Sequence, residues 1–168
     1  KIAPKHPQTL YLDAQATYLR KDYIAARDLI QQLLKFAPNP NVLQLAGAVE
    51  FQLRSFIQAE TYLTKALQQA PNLMLARKLL ASSYLRAGQP AKALSTLQPV
   101  IDQIEKDPAL LSLAGEAYLQ NGDANKATEY LAKASKLAPN DAAKKTSLAL
   151  AHMAQGNTAG AFEELEDR

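Results

Sequence analysis

Apolar positions in this chain recur with helical spacing, not with the alternation of a strand. From Pro108 onward, Leu111, Ala114, Gly115 and Tyr118 fall three and four residues apart, which places them on one helix face. Pro108 suits the first turn of that helix, where a missing N–H has no intrahelical acceptor to lose. Asn121-Gly122-Asp123 then supplies a break. Ala127, Leu131 and Ala134 carry a second helical stripe, which ends at Pro139-Asn140-Asp141. The pattern predicts a helix, a short turn and a second helix.

The same phrase returns along the chain. Leu113–Asp123 reads LAGEAYLQNGD, Leu45–Ser55 reads LAGAVEFQLRS and Leu79–Gln89 reads LLASSYLRAGQ. Ala26, Ala59, Ala93, Ala127 and Ala161 form a column at steps of 33 or 34 residues, followed by Ile30, Leu63, Leu97, Leu131 and Leu165. Upstream, a column of small residues holds Ala14, Gly47, Ala81, Gly115 and Ala149. Two antiparallel helices joined by a short turn approach closely only where side chains are small, so this column predicts their contact line. Self-similarity at such a period is the mark of a repeat architecture. The expected fold class is all-α, an α-solenoid of about five helix–turn–helix units. The units span 7–39, 40–73, 74–107, 108–141 and 142–168 of a single array over 1–168.

These units resemble tetratricopeptide repeats. The fourth carries the resemblance through Leu111, Ala114, Gly115, Tyr118, Gly122, Ala127, Leu131, Ala134 and Pro139, the second through Leu43, Ala46, Gly47, Ala59, Leu63, Ala66 and Pro71. The resemblance implies a right-handed superhelix and a protein-binding role. Where the family usually has Trp, this chain has Leu10, Leu43, Arg77, Leu111 and Lys145. The third unit has Glu105 at the closing proline position and carries Pro99 inside its second helix instead, which predicts a local kink. The chain starts at Lys1 and stops at Arg168 within a helical pattern. We therefore expect a piece of a longer protein, with the apolar face of its last helix short of a neighbour.

Composition narrows the chemistry. With 48% apolar and 21% charged residues, the chain is a folding one. It has no Cys, which removes disulfides, thiolate metal sites and cysteine nucleophiles together. Its two histidines are His6, in an N-terminal tail between prolines, and His152, which takes the place of Tyr84 and Tyr118 in other units as a partly buried spacer ring. Gly156 and Gly160 fit a turn followed by close helix packing. No metal-ligand spacing, phosphate loop or nucleophile motif occurs, so no enzyme activity, cofactor or metal is expected. Net charge is +3, and residues 1–84 carry ten Lys and Arg against five Asp and Glu, while 85–168 carry nine against eleven. No basic stripe interleaved with aromatics appears, which disfavours nucleic acid. No apolar run reaches the roughly 18 to 20 residues a bilayer span needs.

Function is then expected at the positions that vary. In the family, first helices line a concave groove. By that resemblance the groove holds Tyr11, Gln15 and Tyr18, then Gln44, Ala48 and Gln52, then Lys78, Ser82 and Arg86, then Ser112, Glu116 and Gln120, and last Thr146 and Leu150. Such a mixed surface suits an extended peptide or a docked helix. Where relatives that clamp a chaperone's C-terminal carboxylate carry Lys, Asn and Arg, this chain has Tyr11, Gln15, Leu45, Leu75 and Leu79. A further column, Leu12, Leu45, Leu79 and Leu113, either packs between first helices or leaves the groove floor apolar. The phrases APNPNVLQLAGAVEFQLRSFIQAETYLTKAL and LLASSYLRAGQPAKALSTLQPVID are similar to bacterial tetratricopeptide lipoproteins of exosortase (PEP-CTERM) and exopolysaccharide systems. That similarity implies a periplasmic, membrane-tethered parent, with cytosol as the alternative compartment. The expected function is a non-catalytic scaffold for a protein or peptide. A polysaccharide-associated module with Tyr11 and Tyr18 stacking on sugars, or a spacer that self-associates through its exposed end, are the alternatives.

Overall fold

The structure, a computed structural model, describes residues 6–166, and among these there is no β-strand. The helices are α1 (Pro7–Leu19), α2 (Tyr23–Leu34), α3 (Pro40–Gln52), α4 (Phe56–Gln69), α5 (Met74–Arg86) and α6 (Pro90–Leu97). They continue with α7 (Ile101–Ile104), α8 (Pro108–Gln120), α9 (Ala124–Leu137), α10 (Ala142–Ala154) and α11 (Thr158–Glu166). This is the expected all-helical class, and its chemistry of starts is visible in the caps. Proline stands in the first turn of α1, α3, α6 and α8. The side chains of Asn39, Asp107 and Asp141 accept from first-turn N–H groups of α3, α8 and α10, satisfying donors that would otherwise lack a partner. His6 departs from the tail expected for it: its Nδ1 accepts from the Gln8 N–H at 3.2 Å as the N-cap of α1.

Each first helix ends in the same turn. One residue adopts positive φ: Lys21 (64°), Arg54 (61°), Gly88 (71°), Gly122 (87°) and Gly156 (78°). Its N–H donates to the carbonyl three residues back, and the next N–H donates five back. In the first turn these are Lys21 to Tyr18 at 2.9 Å and Asp22 to Thr17 at 3.1 Å, and the other turns repeat both bonds. This is a Schellman motif. The residue that closes it also begins the following helix, so Asp22, Asp123 and Asn157 cap α2, α9 and α11 with their side chains. Gly160 serves this cap and not helix packing, contrary to the expectation for it. A Cβ there would meet the Asn157 side-chain nitrogen at 2.5 Å.

Helices α1 and α2 pack as a hairpin, as do α3 with α4, α8 with α9, and α10 with α11. The small-residue column is their contact line. A Cβ on Gly47 would lie 2.4 Å from Leu63 Cγ, and one on Gly115 would lie 2.5 Å from Leu131 Cγ. Ala26, Ala59, Ala93 and Ala127 are wholly buried, with Ile30, Leu63, Leu97 and Leu131 beside them, whereas Leu165 keeps 37% of its surface exposed. The spacer rings pack as expected at half burial. Tyr118 stacks on Tyr130 at 5.4 Å, Lys126 lies over Tyr118, Lys92 lies over Tyr84, and His152 Nδ1 is 3.4 Å from the Asn157 amide.

Pro99 breaks its helix as its position predicts. After α6 the chain makes a 3-10 turn over Gln98–Val100 before α7 resumes, because Pro99 has no N–H to offer. The chain divides into two compact units, residues 1–83 and 84–168. In the first unit Ala14, Ala26, Ile30, Ala46 and Val49 form a buried cluster with Tyr18 and Tyr23 against it. Arg27 on α2 reaches Glu50 on α3 with two hydrogen bonds of 2.8 and 2.7 Å, and also Ser55 at 3.2 Å. In the second unit Ala127, Leu131, Leu148 and Ala151 form the corresponding cluster.

Candidate partner-binding cleft

The first unit carries a cleft of about 370 Å³ built from three helices. From α1 come Tyr11, Gln15, Tyr18 and Leu19, which repeat at three and four residues and so share a face. From α3 come Asn41, Gln44, Leu45 and Ala48, and from α5 Leu75 and Leu79. No lining side chain carries a charge at neutral pH. The volume lies at the low end of the roughly 300–1,000 Å³ that holds a whole small ligand, a size suited to a few anchoring side chains of something larger.

The polar groups of this cleft differ in what they have left to give. The Gln44 Oε1 accepts the Ala76 N–H at 3.1 Å, so it caps the first turn of α5 and keeps only its amide N–H groups for a partner. Tyr18 is braced by Tyr23, with ring centroids 5.5 Å apart. Leu45 and Leu79 are half-buried in the floor, which makes the floor apolar. Leu12, from the same column, is 61% exposed and lines no part of it. A neighbouring depression of about 300 Å³ shares Tyr11 and Asn41. Two of its polar groups, His6 and Asn39, are already engaged as helix caps.

Of the residues expected in a groove, Tyr11, Gln15, Tyr18, Gln44 and Ala48 meet in the cleft, whereas Gln52, Lys78 and Ser82 do not line it. Asn41 and Leu19 line it without having been expected, and Leu75 lines it from one of the places where relatives carry a carboxylate clamp. In the second unit Arg86 is exposed and Ser112, Glu116 and Thr146 are half-buried. The Gln120 amide donates to the Leu85 carbonyl at 3.1 Å, and Leu150 is 53% exposed. Burial pushes the Glu116 carboxyl above the ordinary carboxylate range, while Arg86 and Lys144 pull it the other way. The Ser112 hydroxyl is shut away from solvent without a hydrogen-bond partner. Among the described residues no group of three or more His, Asp or Glu is placed to hold a metal, and no helix is long and apolar enough to cross a membrane.

Residues 51–117 match a tetratricopeptide-repeat family model, and residues 108–141 match a second one. The chain carries tetratricopeptide repeats. No curated protein matches it in sequence. Solved tetratricopeptide-like structures share its fold. A structure of MamA, 41 to the end, from Desulfovibrio magneticus RS-1 has a TM-score of 0.87 at 21% identity, covering 95% of this chain and 91% of that one. Another MamA structure gives 0.82 at 20% identity, with 96% and 89% covered. A thermophilic tetratricopeptide protein of Thermus thermophilus gives 0.74 at 20% identity, again with 96% and 89%. At these identities the likeness speaks for the fold alone.

Proposed function

We propose that this tetratricopeptide protein is a non-catalytic scaffold that holds a peptide or protein partner, with the α1–α3–α5 cleft as its anchor point. The observation that carries this reading is the cleft itself: an uncharged, largely apolar hollow with two tyrosines and free amide donors, on the helix faces that vary between repeats. Interfaces draw most of their energy from a few aromatic or aliphatic anchors in such hollows. The resemblance of two phrases to exosortase-associated lipoproteins is what speaks for a bacterial envelope, exopolysaccharide or protein-sorting assembly as the setting.

Leu75→Asp tests the reading. Leu75 is 54% exposed and second in α5, where an acidic side chain is tolerated by the helix dipole, yet the substitution puts a charge into the cleft. Crosslinking pull-down from source cells should lose its captured protein with this variant at unchanged thermal midpoint. Equal capture by both proteins refutes the cleft as the site. A second reading, a polysaccharide-associated module, draws on Tyr11 and Tyr18 sharing one hollow. In that case a glycan binds with little dependence on salt and is lost with Tyr18→Ala.

A further inference from the structure

The five turns are alike in backbone and unlike in charge. The left-handed position is glycine in the last three, Gly88, Gly122 and Gly156, but Lys21 and Arg54 in the first two. A side chain there is strained, and the strain is avoided by glycine. The first two hairpins accept it twice, both times with a long cation. Neither cation is in an ion pair among the described residues, and both are exposed. A cation near a helix C-terminus gains from the helix dipole, but that gain does not require the strained position, since Arg20 and Arg86 stand at helix ends without it. The turn needs the left-handed backbone but no side chain on it, and no ion pair among the described residues accounts for the two cations.

Place relates these cations to the cleft. Neither lines it: Lys21 follows the C-terminal end of α1 two residues after Leu19, and Arg54 follows the C-terminal end of α3, six residues beyond Ala48, the last α3 residue of the lining. Both helices line the cleft. Residues 1–83 carry ten Lys and Arg against five Asp and Glu. The first unit thus joins a neutral, largely apolar hollow to two exposed cations that follow the C-terminal ends of two helices lining it. Building on the cleft reading above, we propose that its occupant is an acidic segment of a partner protein. Paired apolar side chains enter between Tyr18, Leu45 and Leu75, and flanking Asp or Glu side chains meet Lys21 and Arg54.

Phage-displayed random peptides selected on the full chain test this, with Lys21→Gly/Arg54→Gly and Leu75→Asp selected in parallel. The double glycine variant restores the residue the other turns use, so its thermal midpoint should equal or exceed the wild type's. Peptides from the wild type should carry an apolar pair with Asp or Glu beside it, and the acidic excess should vanish on the glycine variant. A selected peptide should bind roughly two- to thirtyfold tighter than its Gln-for-Glu version at low salt, the range two exposed ion pairs supply. High salt should narrow that gap. An apolar pair with no acidic excess, or an excess that survives Lys21→Gly/Arg54→Gly, overturns the acidic partner while leaving the cleft reading intact. Peptides indifferent to Leu75→Asp, or none enriched, overturn both. Self-association of the chain that is lost in either variant overturns the partner protein in favour of a second copy.

Discussion

Replacing Gly115 with alanine should lower or raise stability according to what faces it. In isolation the change favours the helix by about 1 kcal/mol. In the hairpin, the new Cβ would lie 2.5 Å from Leu131 Cγ, 2.8 Å from its Cδ2 and 3.3 Å from its backbone nitrogen. Ordinary carbon contacts sit near 3.5–4.0 Å, so about 1 Å must be found. Leu131 is wholly buried and has no open space to swing into, and the backbone contact requires α8 and α9 to part. Overpacking of this kind costs about 1–3 kcal/mol, which leaves a net loss of up to about 2 kcal/mol once the propensity gain of about 1 kcal/mol is subtracted. Leu131→Ala alone should cost about 2–5 kcal/mol. In that background the obstacle is gone, and Gly115→Ala should become neutral or stabilising by up to about 1 kcal/mol. Urea denaturation of the four proteins, followed by far-UV circular dichroism, gives the cycle directly. Close approach at Gly115 predicts a coupling of at least about 1 kcal/mol and a change of sign. Equal effects of Gly115→Ala in both backgrounds would refute the close-approach account of the small-residue column.

Other outcomes follow from the same geometry. Lys21→Gly and Arg54→Gly should each stabilise by about 1 kcal/mol in thermal or urea denaturation, since glycine carries no left-handed penalty; a loss would assign those side chains a structural duty. Arg27→Ala strands the buried Glu50 and should cost about 2–4 kcal/mol, while Arg27→Met with Glu50→Leu should recover most of it. Glu116 holds its proton to higher pH in the fold than in the unfolded chain, so ionising it opposes folding and stability falls as pH rises through the folded value. Glu116→Gln should therefore raise the melting temperature at neutral pH, and the difference should disappear below the usual carboxylate range. Gln44→Glu keeps the acceptor for Ala76 and places charge at a helix start, so it should hold stability while weakening any acidic ligand of the cleft.

The hairpins were legible because their contact line admits so few residues. An alanine or glycine every 33 or 34 positions, with an aliphatic column after it, is the imprint of two backbones in contact. The break at Pro99 was legible for an equally local reason, a missing N–H. The cleft was legible in part. Tyr11, Gln15 and Tyr18 share a helix face, and that spacing is written in the sequence. Asn41, Leu19 and Leu75 sit in first or last turns, where too few residues remain for a face to show as a period. Gln44 looked free for a partner because its bond runs to a helix 32 residues away, a distance no local pattern reports. The turn cations did have a signal, since Lys21 and Arg54 align with Gly88, Gly122 and Gly156 at the repeat step. Reading it required knowing that the position is left-handed.

That turn separates two things a protein must usually change together. Its two backbone bonds are the same whether the middle residue is lysine, arginine or glycine, so the identity of that residue is free to vary while the hairpin stays put. Each turn works as a fixed socket with an exchangeable plug. Rewriting the plugs, glycine to arginine in the last three hairpins or the reverse in the first two, would redraw the charge at the turn of each hairpin at about 1 kcal/mol a position, without recutting a single helix contact.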